Sequence, residues 1–283
     1  MPGNRAEKAD PFFEAAERQA RLLGQLHKSP RVDLIGVVAP SGVGAGKLRG
    51  EKLWTITIGL EVWKPLGGTL RAKSLTIRTH GGNEELDSKR ELIEPLTVVH
   101  LRALVAEESI FGSPQGLLVQ FVGKFSSDAE LNKIAEELKT PVTFVDSQFG
   151  IFTLDRCVNW FETETTWRGN PIVLTLNPEE SSGVQSMLAV ARTLWSSQSW
   201  RHQNIAACAS RKLLAVKNKY WLEEGEPELS PGNFENRMTL HSISIYHDGR
   251  IEFSHDDGDL FYGHSIIVSG NLASGPTDAR FEG

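Results

Sequence analysis

Apolar and polar positions follow two periods along this chain, and the switches between them divide it. Residues 11–27, PFFEAAERQARLLGQLH, carry apolar side chains at helical spacing behind Asp10 and Pro11, an N-cap residue and a first-turn proline. From Arg31 the period shortens to two. VDLIGVVAP, KLWTITIGLEVWK, TLRAKSLTIRTH, PLTVVHLRALVAEE and GLLVQFVGKF are enriched in β-branched and aromatic residues and separated by Gly, Ser, Pro and Asn, which predicts five strands. SSDAELNKIAEELKTP returns to helical period, with Ser126 or Ser127 as cap and Pro141 beyond its end, before the short apolar run VTFV.

The second half opens with FTLDRCVNWF, and TETTWRGNPIVLTL predicts a hairpin around Gly169-Asn170. Helices are predicted over Val184 to Trp195 and from Trp200 to about Trp221. EEGEPELSPGNFENR is a polar connector, and TLHSISIY, RIEFSH and LFYGHSIIVSG form a closing strand meander. Strands, two helices and more strands argue for an antiparallel sheet covered on one face by two helices. The expected class is therefore α+β, with an N-terminal helix over 1–29, a β-rich domain over 30–146 ending in a helix, and an α+β domain over 147–283. The boundary is expected between residues 142 and 150.

Composition narrows the classes. The chain has 283 residues, 40% hydrophobic and 23% charged, and no apolar run approaches the roughly 20 residues of a membrane helix, so no membrane association is expected. MPGNRAEKADPFF lacks the apolar stretch of a signal peptide, and two cysteines make no disulfide framework, so Cys157 and Cys208 are expected reduced in a cytoplasmic protein. A net charge of −6 argues against general nucleic-acid binding.

Few motifs carry chemistry. SGVGAGKL, residues 41–48, imitates a phosphate-binding loop, but Ser41 stands where that motif needs Gly, Leu48 where it needs Ser or Thr, and a strand pattern follows instead of a helix. A flexible interstrand loop is expected. Neither cysteine has a local activating signature, and no nucleophile elbow occurs.

HDDGDLFYGH, residues 255–264, is the densest cluster of chemistry. His255, Asp256, Asp257 and Asp259 are candidate ligands for a divalent cation, and His264 is a candidate general base. The rival expectation is turn chemistry. A three-residue loop at His247-Asp248-Gly249 pairs Ile245 with Ile251, Ile243 with Phe253 and His241 with His255; a two-residue Asp257-Gly258 turn then pairs Phe253 with Tyr262 and Ile251 with His264. That register puts three histidines on one face, but separates His264 from His255 by about 13 Å at about 3.3 Å per residue, too far for a shared zinc ion. Seven tryptophans are present, and Trp195, Trp200 and Trp221 on the helix pair are interface candidates if they are exposed.

FGIFTLDRCVNWF, KLLAVKNKYWLEEGEPELS and TLHSISIYHDGRIEFSHDDGDLFYGHSIIVSGNLASGP together resemble the bacterial family called domain of unknown function 2262, over about residues 150–283. The DDGDLFYGHSI string is the most specific part. The resemblance implies a bacterial cytoplasmic α+β protein and brings no activity and no catalytic residues.

Three function classes follow. The favoured one is a non-enzymatic protein-binding module, of immunity or accessory type, whose acidic surface grips a basic partner. A metal-dependent hydrolase or nuclease built on HDDGDLFYGH is the alternative. A structural subunit that oligomerises through its tryptophan-bearing helices is the third.

Overall fold

The structure is a computed structural model and describes residues 11–47, 50–178 and 183–283, with the side chains of residues 11–14 and 199–201 outside that description. Six helices and thirteen strands in two sheets are found among the described residues, an α+β class. The chain divides into two compact units, Met1–Thr140 and Pro141–Gly283.

In the first unit, helix α1 (Pro11–Leu26) buries Leu22 and Leu26 against Ala106 and Leu117. Asp10, the expected cap, lies outside the described residues. Strands β1 (Arg31–Gly46), β2 (Trp54–Pro65), β3 (Leu75–Gly81), β4 (Val98–Ala106) and β5 (Gln115–Lys124) close into a barrel in the order β1-β2-β3-β5-β4. Closure buries one alternate set of side chains, among them Leu34, Ile56, Ile58, Ile77 and Leu101, and gives every strand of the barrel two neighbours. Helix α2 (Asn83–Leu92), which the apolar pattern does not announce, adds Leu86 to this core. A long first strand paired on both sides, a parallel β3–β5 pair and a helix between β3 and β4 are the connectivity of OB-type barrels, a fold that by itself specifies no function.

SGVGAG is not a free loop. It continues β1, with Val43 opposite Ile58 and Gly44 opposite Thr57, after a register shift at which Gly42 adopts φ +64°. The glycines let a sixteen-residue strand bulge and bend around the barrel. Helix α3 (Ala129–Lys139) is capped by Asp128, whose carboxylate accepts the Leu131 N–H at 2.9 Å, in place of the Ser126 or Ser127 cap that the spacing predicts.

The second unit is one eight-stranded sheet with helices on one face. Strands β6 (Thr143–Asp146), β7 (Gly150–Asp155), β8 (Trp160–Trp167) and β9 (Asn170–Asn177) form one antiparallel ribbon; β10 (Thr239–Tyr246), β11 (Ile251–Asp256), β12 (Ser265–Asn271) and β13 (Gly275–Glu282) form another. They join by parallel pairing of β9 with β10, so the expected all-antiparallel sheet carries one parallel seam. A parallel pair needs a crossover, and helices α4 (Val184–Trp195), α5 (Gln198–Tyr220) and α6 (Pro231–Arg237) supply it. Met187, Leu188, Ala191, Ile205, Cys208 and Phe234 from these helices meet Leu174, Leu176, Ile243, Phe253, Ile266 and Val268 from the sheet in one core. Helix α6 lies in the stretch expected as a connector. The β8–β9 turn uses Arg168 and Gly169, both at positive φ, one residue before the expected pair.

Candidate functional site

The HDDGDLFYGH stretch is a long structural loop. β10 and β11 pair Ile245 with Ile251 and Ile243 with Phe253 as the hairpin register requires, but a shift between Leu240 and Ser242 sets Leu240, not His241, opposite His255. The expected two-residue turn at Asp257-Gly258 does not form. β11 pairs with β12 as Phe253 with Val268, His255 with Ile266 and Asp256 with Ser265, which leaves residues 257–264 as a loop. Two apolar side chains within it decide that outcome. Leu260 and Phe261 are fully buried; Phe261 stacks on Phe281 at 4.5 Å and meets Trp221 edge-on at 5.5 Å. Burying them requires four left-handed residues, Gly258, Asp259, Tyr262 and Gly263.

Asp257 holds this loop together. Only 4% exposed, its carboxylate accepts the backbone N–H groups of Asp259 at 3.1 Å, Phe261 at 2.6 Å and Gly263 at 3.2 Å. Its lone pairs are thereby committed to the backbone. Asp256 and Asp259 are exposed, and His255, 2% exposed, points into the core and donates Nδ1–H to the Phe253 carbonyl at 3.1 Å. His255, Asp256, Asp257 and Asp259 therefore do not converge, and among the described residues no three His, Cys, Asp or Glu side chains are arranged to hold a metal ion. Burial pushes the His255 imidazole down to about 4, and the neighbouring His202 and His241 add to that effect.

His264, the candidate base, has Nδ1 bonded to the Phe261 carbonyl and its ring edge-on to Trp221 and Phe281. Among the described residues no carboxylate is bonded to it. Two of the three tryptophans proposed for an interface have packing roles: Trp221 contacts Phe261, Tyr262, His264 and Phe281, and Trp195 packs edge-on against Phe149 and Trp167 while its Nε1–H donates to the Thr166 carbonyl. The side chain of Trp200 lies outside the described residues.

The face of this sheet opposite the helices has a different chemistry. Its register runs one polar row across seven strands: Thr153, Glu162, Thr175, Ser244, Glu252, Ser269 and Asp278. The middle of the row is internally satisfied. Thr175 and Ser244 share a hydroxyl hydrogen bond at 2.7 Å, and Glu252 accepts from Tyr246 at 2.7 Å, Arg250 at 2.6 Å and Arg280 at 3.0 Å. Burial works to raise Glu252, but these donors hold its carboxyl below the usual range, while burial and the same carboxylate push the Tyr246 phenol up to about 12.

The β7–β8 end of the row is not satisfied in this way. Glu162 and Glu164 are exposed, and neither side chain is in an ion pair among the described residues. With Ile151, Thr153 and Val173 they line a shallow groove of about 260 Å³. Ile151 is 62% exposed, and its cross-strand partner Val145, on the edge strand β6, is 77% exposed. Asp146 pins this hairpin by accepting from the backbone of Gln148 and Phe149 and pairing with Arg192 of α4. Charge is uneven along the chain too. Residues 141–283 hold eighteen acidic residues against eleven lysines and arginines, whereas residues 1–140 hold eighteen against nineteen.

Comparison with known families agrees with the resemblance of the C-terminal half. Residues 146–281 match a family described as "Uncharacterized protein conserved in bacteria (DUF2262)", and residues 19–138 match one described as "Domain of unknown function (DUF7021)". No curated protein matches the chain. Among the described residues no helix is long and apolar enough to cross a membrane.

Proposed function

We propose that the protein is a non-enzymatic binding module, of immunity or accessory type, that takes a basic protein partner on the acidic corner of its C-terminal sheet. The observation that supports this reading is the pairing of two uncompensated carboxylates, Glu162 and Glu164, with the exposed Ile151 and Val145 on the edge hairpin. Carboxylates without intramolecular partners lose little by pairing with an incoming Lys or Arg, and apolar side chains beside them supply burial. The short edge strand β6 also leaves backbone groups for an added strand.

The test is affinity capture with wild-type protein and with the Glu162→Lys/Glu164→Lys variant, both checked for equal melting temperature. A basic protein retained by the wild type, released by salt and absent from the variant is the expected result. Capture unchanged by the double reversal would sink this reading.

A further inference from the structure

Strand edges that face solvent invite pairing with another chain, and folded proteins guard them with bulges, prolines, charges or covering helices. Two edges of this molecule are guarded in that way. Beyond its pairing with β3 at Gln115, Gly116 and Leu117, strand β5 has only β4 beside it; there two register shifts skip Val119 and Val122, and the strand ends in Lys124. β13 carries Pro276, Arg280 and a register shift opposite Ser269 and Gly270, and α5 packs against it. β6, at the other end of the same sheet, has none of these devices. It pairs with β7 in unbroken register from Thr143 opposite Thr153 to Asp146 opposite Gly150, and its one charged side chain, Asp146, is buried against Arg192.

The register also fixes which backbone groups are free. The Leu154 N–H donates to the Val142 carbonyl at 2.9 Å, so Val142 and Phe144 turn their backbone groups inward to β7. Those of Thr143 and Val145 turn outward, and among the described residues nothing bonds to them. The side chains of these two residues share the face of Glu162 and Glu164. Thr143 continues the row of Thr153 and Glu162, while Val145 pairs with Ile151, which lines the groove with Glu164. Phe144 lies between them on the helix side and stacks on Phe152 at 4.8 Å.

We infer that β6 takes, as an added antiparallel strand, a short extended segment of the partner in which basic and apolar residues alternate. This rests on the basic-partner reading above and specifies how that partner docks. The basic residues sit opposite Thr143 and Val145 and exchange backbone hydrogen bonds with them; the apolar residue between lies beside Phe144. A basic side chain opposite Val145 lays its stem along Val145 and Ile151 and points its charged head toward Glu164. The two backbones are three strand spacings, about 14 Å, apart, so extended side chains bring the opposite charges inside the screening length of about 8 Å at physiological salt. A second copy of this chain is a poorer occupant, because its own β6, TFVD, brings no basic side chain to these glutamates.

The probe is the peptide acetyl-Ser-Val-Arg-Val-Arg-Val-Ser-amide. Its control differs only by backbone N-methylation of both arginines, which keeps the charge and removes the N–H groups that must bond to β6. Amide resonances of the isotope-labelled full chain are followed as each peptide is added at low salt. The expected result is a saturable shift of the Thr143 and Val145 amides with a dissociation constant of about 1 mM or below, weakened about tenfold or more by N-methylation and by Glu162→Lys/Glu164→Lys. Equal affinity for the two peptides would overturn strand addition and leave the basic-partner reading standing. Shifts confined to residues outside 143–146, or no saturable shift up to about 10 mM peptide, would do the same. Affinity undiminished in Glu162→Lys/Glu164→Lys would remove the charge match and the reading beneath it. The N-methylated control is measured on wild-type protein, so the strand-addition test depends on no variant folding.

Discussion

Asp257 and Trp167 are almost equally hidden from solvent, yet they stand in opposite hydrogen-bonding states. The carboxylate of Asp257 takes three backbone N–H groups and closes a loop on itself, whereas Trp167 Nε1 meets no acceptor among the described residues. A chemically rich string can thus be fully occupied with its own fold, and a residue with no motif around it can be the one left with an unused donor. Polar groups that are saturated internally maintain structure; those left unsatisfied are where a ligand gains most.

The contrast can be broken in several ways, and the largest effect belongs to the saturated loop. Asp257→Ala strands three backbone donors, and a Cβ at Gly258 would sit 2.4 Å from the Arg237 carbonyl oxygen at φ +54°. Each of Asp257→Ala and Gly258→Ala is expected to lower unfolding free energy by about 3–5 kcal/mol in urea titrations, and added magnesium, manganese, calcium or zinc should leave the wild-type melting temperature unchanged. A cation-dependent rise that disappears in Asp257→Ala would restore the metal reading of this loop.

Next in size is a pH effect at His255. Its folded value of about 4 lies below the ordinary 6.5, so between those values the unfolded chain binds a proton that the folded chain excludes. Stability present at pH 7 is therefore lost as pH falls from about 6.5 toward 4, by up to about 3 kcal/mol. His255→Gln should flatten that slope in urea midpoints measured across the interval. Trp167→Phe removes a donor that has no partner and should cost only about 1–2 kcal/mol, from lost volume alone. A larger loss would mean that the indole N–H is satisfied within the fold. The smallest change is expected at the open face, where Glu162→Lys/Glu164→Lys should stay within about 0.5 kcal/mol of wild type while altering partner capture.

Elements whose apolar residues recur at a clean period were legible in the sequence: the helix over 184–195, the strands of the barrel, and the β10–β11 pairing of Ile245 with Ile251. Elements held by distant partners were not. β13, GPTDARFE, is polar and carries a proline, and its place comes from pairing with β12. The 257–264 loop looks like turn chemistry because Asp-Gly favours tight turns, but Phe261 finds Phe281 and Trp221, which no local pattern encodes. Of the candidate site residues, His255, Asp256, Asp257 and Asp259 lie close in sequence and diverge in space: His255 and Asp256 leave the end of β11 on opposite faces, Asp257 turns to the backbone of its own loop, and Asp259 is exposed. Trp167 and His202 lie far apart in sequence and line one pocket. The acidic corner was legible only as net charge, since its position depends on which face β8 turns to the helices.

The parallel seam between β9 and β10 makes the C-terminal unit two ribbons joined along one line, with residues 178–238 spanning the join. Each ribbon can form from neighbouring residues, while the seam must wait for the helices between them to fold back across the sheet. By contact order, the docking of its two halves is expected to be the last and slowest event in building this unit, and a chain interrupted between β9 and α4 would still contain both halves whole.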